Sequence, residues 1–376
     1  MPKDPYLLAQ RVDRLVTKKK ADDAIALVMN APQRLHTVVV WNHLIQACVE
    51  RGGINRALRL FNQLKKRGLK PNPQTYTLLL TCCARSDSPH TVEIASDLFE
   101  KLQDTTTPSL RHVNALLQVY ANAGDTPILL QTFHEMPAAG PGAPDHITYT
   151  IVIKHLCQSR QTIQPREKAP SKGTMPTEET NASNTDQVLL DQPSKGSEHS
   201  PTPDERFERA YGVWQDLVRD QQSRMVMNQL NKVQTPLIHL DAALLEPLLI
   251  ACMRTEKKTS LQSGLGILEH ALSLNSPSEV QQPLNKKPGV RTATPMPGPL
   301  FDANFAELVT PVTFNALSVL CTRSGEFTKG FHYIRQIFQH CPDLRLNLSN
   351  YLRWSALVKR AMYVASNEGS KGESLQ

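Results

Sequence analysis

Residues 38–72, VVVWNHLIQACVERGGINRALRLFNQLKKRGLKPN, contain two successive helical patterns that decide the fold. In each half, apolar residues recur three and four positions apart, which is the spacing of an amphipathic helix. Gly52 and Gly53 separate the two halves, and Gly68 follows the second, where a left-handed C-cap is common. Pro71 then starts an extended step. The stretch therefore predicts a helix–turn–helix hairpin.

The hairpin pattern repeats along the chain with a nearly constant period. Matching polar residues near the start of the first helix are 35, 37 and 36 residues apart, and they are Asn42, Thr77, Asn114 and Thr150. Matching aromatic residues of the second helix are 38 and 34 residues apart, and they are Phe61, Phe99 and Phe133. A fixed period of this length indicates a stacked array, because each unit buries its apolar face against its neighbours. We therefore predict an all-α solenoid of about seven helix pairs.

Two segments interrupt the repeats. Residues 158–203 are rich in Pro, Ser, Thr, Gln, Lys and Glu and contain no aromatic residue, and residues 275–300 hold six prolines. Segments of this composition bury too little apolar surface to offset the entropy that ordering costs. We predict that both inserts are disordered.

The helical pattern continues beyond the first insert. Residues 205–218 supply the second helix of the interrupted hairpin. A degenerate pair follows, with a first helix over residues 240–253, which Pro247 must kink or delay, and a second over residues 265–274. A last helix is expected over residues 351–364.

The predicted organisation has seven parts. They are a degenerate N-terminal hairpin (1–37), clear repeats (38–157), the first insert (158–203), degenerate helical repeats (204–274), the Pro-rich second insert (275–300), a C-terminal repeat with a capping helix (301–364) and a flexible tail (365–376).

The repeated residues resemble the pentatricopeptide repeat. The diagnostic features are a V-T-Y/F-N start, as in HITYT at His146 and PVTFN at Pro311, a glycine between helices, A-x-x-x-F in the second helix and a closing G-x-x-P-N/D. The tetratricopeptide repeat forms a similar hairpin, but it expects W-x-x-L-G-x-x-Y in the first helix, which does not suit this chain. The resemblance covers residues 38–157, 206–218 and 311–343 and implies a right-handed α-solenoid of the P class.

The resemblance implies binding of single-stranded RNA, with about one base read per repeat by two or three side chains. The residues that would read base edges near the start of each first helix are Asn42, Thr77, Asn114, Thr150 and Asn315. The residues that close each repeat beside them are Asn72, Ser109, Asp145 and Asp343. In the family, the second residue of each unit sandwiches the base, and here these residues are Val39, Gln74, Arg111, Ile147 and Val312.

Each of these residues also has a purely structural interpretation. Asn at a helix start is usually a cap, although five equivalent positions that all hold Asn or Thr favour base reading. The apolar second residues could equally pack between repeats. Aromatic residues on the apolar faces are expected in the core. The basic residues of positions 51–70 favour a solvated outer face over phosphate contacts.

The sequence lacks the motifs of several common catalytic sites. No H-x-E is followed by C-x-x-C, and neither G-x-x-x-x-G-K-S/T nor G-x-S-x-G occurs, so we predict no enzyme, no metal and no cofactor. The seven cysteines fit buried small hydrophobes in a reducing compartment. No apolar run reaches the roughly 18 residues of a membrane helix, so membrane insertion is not expected. The net charge of +7 is compatible with a polyanion partner.

The sequence and the family resemblance predict two alternative functions. The resemblance implies a protein of mitochondria, or of chloroplasts in plants, and we expect the mitochondrial matrix. There it would bind a mitochondrial transcript or rRNA in processing, stability, splicing or translation, with small-subunit rRNA maturation as one specific role. The alternative is a non-catalytic interaction solenoid on the mitochondrial small ribosomal subunit. The degenerate middle repeats favour this alternative, because they interrupt a continuous base-reading track. The N-terminal residues MPKDPYLLAQRVDRL show neither a signal-peptide core nor an acid-free transit pattern.

Limited proteolysis tests the two inserts. Because residues 158–203 and 275–300 lack a periodic apolar face, a protease should cut both before it cuts any repeat. Mass spectrometry of the first fragments locates the cuts, and first cuts within residues 38–157 would contradict the prediction.

Overall fold

The structure is a computed structural model. It describes residues 4–50, 53–86, 88–158, 201–231, 235–274, 301, 305–341, 344–345 and 347–372. All of the second predicted insert and nearly all of the first lie outside these ranges, so their disorder stays a prediction.

Sixteen α-helices make up most of the described residues, and no β-strand occurs among them. The helices are α1 (Pro5–Thr17), α2 (Ala21–Met29), α3 (Val38–Val49), α4 (Ile54–Lys66), α5 (Pro73–Ala84), α6 (Thr91–Gln103), α7 (Leu110–Ala123), α8 (Thr126–His134), α9 (His146–Cys157), α10 (Pro203–Asn231), α11 (Ala242–Met253), α12 (Lys258–Leu272), α13 (Phe305–Leu308), α14 (Pro311–Ser324), α15 (Phe327–His340) and α16 (Leu348–Gly372). A short 3₁₀ helix, Gln33–Leu35, precedes α3.

The helices form successive hairpins that stack along one axis of the array. The first helices α1, α3, α5, α7, α9, α11, α14 and α16 each pack on the next in this order. The second helices α2, α4, α6, α8, α10, α12 and α15 each pack on their own first helix and on the following one. The prediction of an all-α solenoid of helix–turn–helix repeats is confirmed.

The position of each helix in the array explains its sequence pattern. First helices are enclosed on several sides, and so Leu44 and Ile45, on adjacent positions of α3, are both fully buried. Second helices bury one stripe only, and in α4 this stripe contains Ala57, Phe61 and Leu64 while the opposite face is polar. A continuous core of stacked apolar faces therefore holds the array together.

Polar caps and glycines fix where the first helices begin and end. The side chains of Asn72 and Asp145 accept hydrogen bonds from backbone amides in the first turns of α5 and α9. At the other end, Gly124 and Gly325 follow α7 and α14 with φ of 82° and 85°, the left-handed conformation that a side chain disfavours. These residues fix the ends of the helices that they border.

Helix α10 supplies the second helix expected after the first insert, but it is longer than predicted. It spans Pro203–Asn231 and so begins at the last residue of the predicted insert. Its extra turns are held by the segment that follows: Gln221 accepts a 2.8 Å hydrogen bond from the amide of Ile238. Arg224 donates to the carbonyl of Pro144 at 2.7 Å, which ties the same turns to the start of α9. These long-range contacts leave no periodic signal in the sequence.

The degenerate pair also differs from its predicted bounds. Helix α11 begins at Ala242, after the cap Asp241, and Pro247 lies inside it. Helix α12 begins at Lys258 instead of Leu265, so Gly264 lies inside the helix. A Cβ at Gly264 would overlap the sulfur of Cys252, so only glycine fits there.

The last helix is longer than expected as well. Helix α16 spans Leu348–Gly372, whereas the sequence pattern predicts residues 351–364 followed by a flexible tail. Residues 365–372 of that tail therefore belong to the helix. Asn347 caps it and sets the earlier start, since its side chain accepts a 2.8 Å hydrogen bond from the amide of Asn350.

Replacing Phe61 with Ala tests the stacking of the repeats. The Phe61 ring is buried in α4 and meets the Tyr76 ring of the next hairpin edge-on, with 5.9 Å between centroids. Phe61→Ala should lower the free energy of unfolding by about 3–5 kcal/mol. Urea denaturation measures this change, with Asn62→Ala on the exposed face of the same helix as the control. Equal stability of the two variants would contradict the burial of this ring between hairpins.

Candidate nucleic-acid interface

The predicted base-reading residues occupy one equivalent position in the solenoid. Each is the fifth residue of a first helix: Asn42 in α3, Thr77 in α5, Asn114 in α7, Thr150 in α9 and Asn315 in α14. The predicted closing residues Asn72, Ser109 and Asp145 are the N-caps of α5, α7 and α9. Each pair therefore joins one hairpin to the first helix of the next.

Asn42 is the clearest example of this junction. Its amide nitrogen donates to Oδ1 of Asn72 at 3.1 Å, and the hydroxyl of Thr75 donates to its oxygen at 2.8 Å. Asn72 also caps α5, because its Oδ1 accepts from the amide of Thr75 at 3.0 Å. The interpretation of Asn42 as a helix cap is wrong: Thr37 caps α3, and Asn42 bonds to the cap of the following helix.

The same arrangement recurs two hairpins later. Asn114 donates to Oδ1 of Asp145 at 3.1 Å, and the hydroxyl of Thr148 donates to Asn114 at 2.6 Å. Asp145 accepts from the amide of Thr148 at 2.9 Å. Asn42 and Asn114 are each 8% exposed. Both asparagines are thus held in one orientation at the edge of the solvent.

The threonine positions are built differently. The hydroxyls of Thr77 and Thr150 donate to backbone carbonyls one turn earlier in their own helices, at 3.2 and 2.7 Å. Beside Thr77, His112 takes the place that Thr75 and Thr148 hold at the asparagine junctions. Its Nδ1 accepts from the amide of Ser109 at 3.0 Å, and its Nε2 lies 2.9 Å from the carbonyl oxygen of Pro73. A neutral histidine with its proton on Nε2 satisfies both contacts.

The last predicted pair is not brought together in the described residues. Asp343 lies outside them. The N-cap of α16 is Asn347, which therefore takes the position that Asn72 and Asp145 hold in earlier hairpins. Arg353 of α16 donates to the side-chain oxygen of Asn315. The sequence pattern misses Asn347 because the closing CPD sequence resembles the end of the repeat, whereas α16 begins later.

The sequence pattern misses two further junction residues. Asp241 caps α11, with its side chain accepting from Leu244 at 2.9 Å, and so it is the closing partner of Thr150 by position. Glu246 is the fifth residue of α11, and Thr310, the cap of α14, donates to it at 2.7 Å. The inserts and Pro247 hide this period. A cap signal, Asp before an apolar run, is present in LDAALL.

The second residue of each first helix borders these junctions. Val39 is 53% exposed and Ile147 is 46% exposed, although both are β-branched apolar residues. Gln74 and Arg111 are also exposed, and Val312 is half-buried. This degree of exposure favours an open apolar surface over tight packing between repeats for Val39 and Ile147. The surface lies one helical turn before Asn42 and Thr150.

The aromatic and basic residues lie away from these junctions. The aromatic side chains are core residues as expected: Trp41, Tyr76, Phe61, Phe133 and Trp214 are buried, and Phe99 is half-buried. Arg59, Lys65 and Lys66 are exposed on the second helix α4. Arg51 is outside the described residues.

The buried thiols offer no reactive or ligating group. Burial raises the pKa of Cys82, Cys83, Cys157, Cys252 and Cys321 to about 12, so these thiols are protonated at neutral pH. Among the described residues, no group of His, Cys, Asp and Glu side chains could hold a metal ion. In the same part of the chain, every helix is too short or too polar to cross a membrane.

Comparison with known proteins agrees with the repeat pattern. Residues 36–85 match the model of the PPR repeat family. The chain is 30% identical over 164 residues to pentatricopeptide repeat-containing protein 1, mitochondrial, of Rattus norvegicus, an alignment of 42% of this chain and 24% of the relative. It is 32% identical over 107 residues to the mitochondrial 15S rRNA processing factor CCM1 of Yarrowia lipolytica, covering 27% of this chain and 14% of that protein.

A solved structure is similar over nearly the whole chain. The crystal structure of the pentatricopeptide repeat protein PPR10 in complex with an 18-nt psaJ RNA element aligns with 99% of this chain and 44% of that chain, at 16% identity and a TM-score of 0.40. Residues 36–85 thus belong to the pentatricopeptide repeat family, and the stacked hairpins repeat the same pattern along the described residues. It matches less than a quarter of the length of the curated relatives named above.

Paired alanine substitutions test the junction. Asn114→Ala removes hydrogen bonds to Asp145 and Thr148 and should lower the free energy of unfolding by about 1–3 kcal/mol. Thr77→Ala removes only a bond within its own helix, so a change within about 0.5 kcal/mol is expected. Chemical denaturation of the two variants measures the difference. Equal costs would show that the Asn114 contacts do not join the hairpins.

Proposed function

We propose that the chain binds single-stranded RNA along the face formed by the starts of its first helices, with one base at each junction. The observation that supports this proposal most strongly is the recurrence of one hydrogen-bonded arrangement, Asn42 with Asn72 and Asn114 with Asp145. Both asparagines are the fifth residue of their first helix, and each bonds to the cap of the next first helix. An amide that is oriented by its neighbours is suited to reading a base edge.

The chemistry of the Asn114 junction suits uracil. The hydrogen bonds that Asp145 accepts from the Asn114 side chain and from the backbone amide of Thr148 both use its Oδ1. Its Oδ2 can therefore accept from the imino N–H of a base. Asn114 uses one amide N–H for Asp145, and its second N–H can donate to a base carbonyl. One donor beside one acceptor matches the edge that uracil presents.

The exposed second residues supply the faces between which a base would lie. Val39 and Ile147 offer apolar surface, and Arg111 offers a planar guanidinium. The base edge would then meet the junction while its faces contact these side chains. On this account the face selects sequence, and phosphate contacts contribute affinity without selectivity.

We place this binding in mitochondrial RNA metabolism. The support is the similarity to a mitochondrial protein of Rattus norvegicus and to a mitochondrial 15S rRNA processing factor of Yarrowia lipolytica. Maturation of small-subunit rRNA in the mitochondrial matrix is the specific role that we favour. The chain would act there by binding RNA, without catalysis.

One observation favours a second role for the middle repeats. At the position where other hairpins hold Asn or Thr, α11 holds Glu246, and this carboxylate lies beside Thr310. An anionic side chain there disfavours the nearby RNA backbone. A protein contact at this hairpin, with the mitochondrial small ribosomal subunit as the candidate partner, fits such a residue better.

The resemblance to the family assigns a preferred base to each pair of base-reading and closing residues. Asn42/Asn72 matches a combination that favours pyrimidines, Thr77/Ser109 leans to purine through its Thr, and Asn114/Asp145 matches the uracil combination. Thr150/Asp241, the pair that the structure adds, matches the guanine combination. With repeats read from N to C along RNA from 5′ to 3′, the expected core is pyrimidine, purine, uracil, guanine.

Selection from randomised RNA tests the proposal. Asn114→Thr converts the uracil pair into a guanine-type pair, so the third base should change from uracil to guanine while the other positions stay the same. The matched control is Asn62→Thr, on the exposed face of the second helix α4. The proposal fails if wild type and Asn114→Thr enrich the same base at every position, or if wild type enriches no motif.

A further inference from the structure

The junction between α5 and α7 differs from its neighbours in one buried residue. The third residue of the first helix is a threonine in α5, α9 and α14, namely Thr75, Thr148 and Thr313. Helix α7 holds His112 at this position, and the residue is only 3% exposed. Because a histidine forms different hydrogen bonds from a threonine, the donors and acceptors that this junction presents must be derived separately.

One backbone carbonyl fixes the direction of the hydrogen bonds at this junction. The carbonyl oxygen of Pro73 lies 3.2 Å from the hydroxyl of Thr77 and 2.9 Å from Nε2 of His112. A carbonyl oxygen can only accept, so both groups donate to it. The hydroxyl hydrogen of Thr77 is therefore already engaged, and the proton of the neutral His112 ring is on Nε2.

The proton on Nε2 makes Nδ1 of His112 an acceptor. This nitrogen lies 2.7 Å from Oγ of Ser109 and 3.0 Å from the Ser109 amide nitrogen, which donates to it. Because Nδ1 then carries no hydrogen, the Ser109 hydroxyl also donates to it. Ser109 is exposed and Thr77 is half-buried. Both hydroxyl oxygens have thus donated their hydrogens, and each can offer only lone pairs to a base.

Two acceptors side by side distinguish this junction from that of Asn114. There an amide N–H lies beside a carboxylate oxygen, which gives one donor and one acceptor. The Watson–Crick edge of guanine carries two adjacent donors, the N1–H and the amino group. Adenine offers one donor, and its N1 lone pair would face a lone pair of the protein. A pair of acceptors therefore matches guanine and disfavours adenine.

We propose that His112 is a positioning residue that makes the junction of Thr77 and Ser109 select guanine. It acts through Ser109, because it keeps the Ser109 hydroxyl directed towards its own ring and leaves that oxygen as an acceptor. This inference rests on the proposed binding of RNA at the junctions. It narrows the purine that is expected at the second base to guanine.

Short RNAs that differ only at the second base test this selection. Each labelled RNA carries the core cytidine, X, uridine, guanosine between adenosine flanks, and X is guanosine, inosine or adenosine. Fluorescence anisotropy with the full chain should give a Kd about tenfold lower for guanosine than for adenosine. Inosine keeps the N1–H and lacks the amino group, so its Kd should lie between the other two.

Two substitutions of His112 separate positioning from folding. His112→Thr introduces the residue of the neighbouring hairpins, where the hydroxyl of Thr75 accepts from the amide of Asn72 and donates to its side chain. The same bonds would release the hydroxyl hydrogen of Ser109 for adenine, and the ratio of the two Kd values should fall to within about threefold. His112→Asn places an amide oxygen where Nδ1 lies and should retain the ratio. A loss of stability alone would raise both Kd values and leave their ratio unchanged.

The third base distinguishes failure of this inference from failure of the proposed function. Exchange of its uridine for adenosine should weaken binding by wild type and by both variants alike, because the Asn114 junction is unchanged. Selection at the third base with equal binding of the guanosine and adenosine RNAs would overturn the role of His112 alone. A ratio that stays the same in His112→Thr would also overturn it. Absence of selection at both bases would contradict the proposed function, and this inference with it.

Discussion

At two junctions, a hairpin is joined to the next by a polar side chain that has two roles at once. Asn72 and Asp145 cap the helices that they precede, and they also accept a hydrogen bond from an asparagine of the preceding hairpin. The first role fixes where the helix begins, and the second fixes the rotation of one hairpin against the other. The apolar core supplies most of the stabilisation, but apolar contact is non-directional. Directional bonds at the junction are what set a register that repeats.

The same junction supports both the fold and the proposed reading of RNA. Asn114 and Asp145 are held in place by Thr148, which is part of the cap, and Asp145 is half-buried. An arrangement of this kind reduces the loss of side-chain entropy when a base binds, because the side chains that contact the base are already ordered. Helix α11 holds Glu246 at the position where α3 and α7 hold Asn, and it still packs on α9 and α14. The stacking of hairpins therefore does not require a base-reading residue at this position.

The array is predictable from the sequence because its signal is periodic. Spacings near 35 residues assign Asn42, Thr77 and Asn114 to one position of the repeat, and their shared position is confirmed. The predictions are wrong where a boundary depends on contacts far away in the chain. Helix α10 extends because residues near Pro144 and Ile238 hold its last turns. Helix α12 begins before Leu265, and Gly264 inside it lies against the sulfur of Cys252 in α11.

The candidate site is predictable in outline and not in detail. Sequence spacing identifies the asparagine side chains, but it also allows Asn42 to be a helix cap. The spacing does not show that the closing residues are the actual caps. The sequence pattern does not identify Asp241 and Asn347, because each is recognisable as a cap only when the start of the following helix is known.

The most direct test of the account is the position of RNA on the solenoid. A selected RNA that carries 4-thiouridine at its third base can be crosslinked to the chain and the modified peptides identified by mass spectrometry. The account predicts crosslinks to α7 and α9, around Arg111 and Ile147, which flank the Asn114 junction. Crosslinks confined to the second helices, such as the basic surface of α4, would contradict it, because RNA would then lie on the opposite side from the junctions.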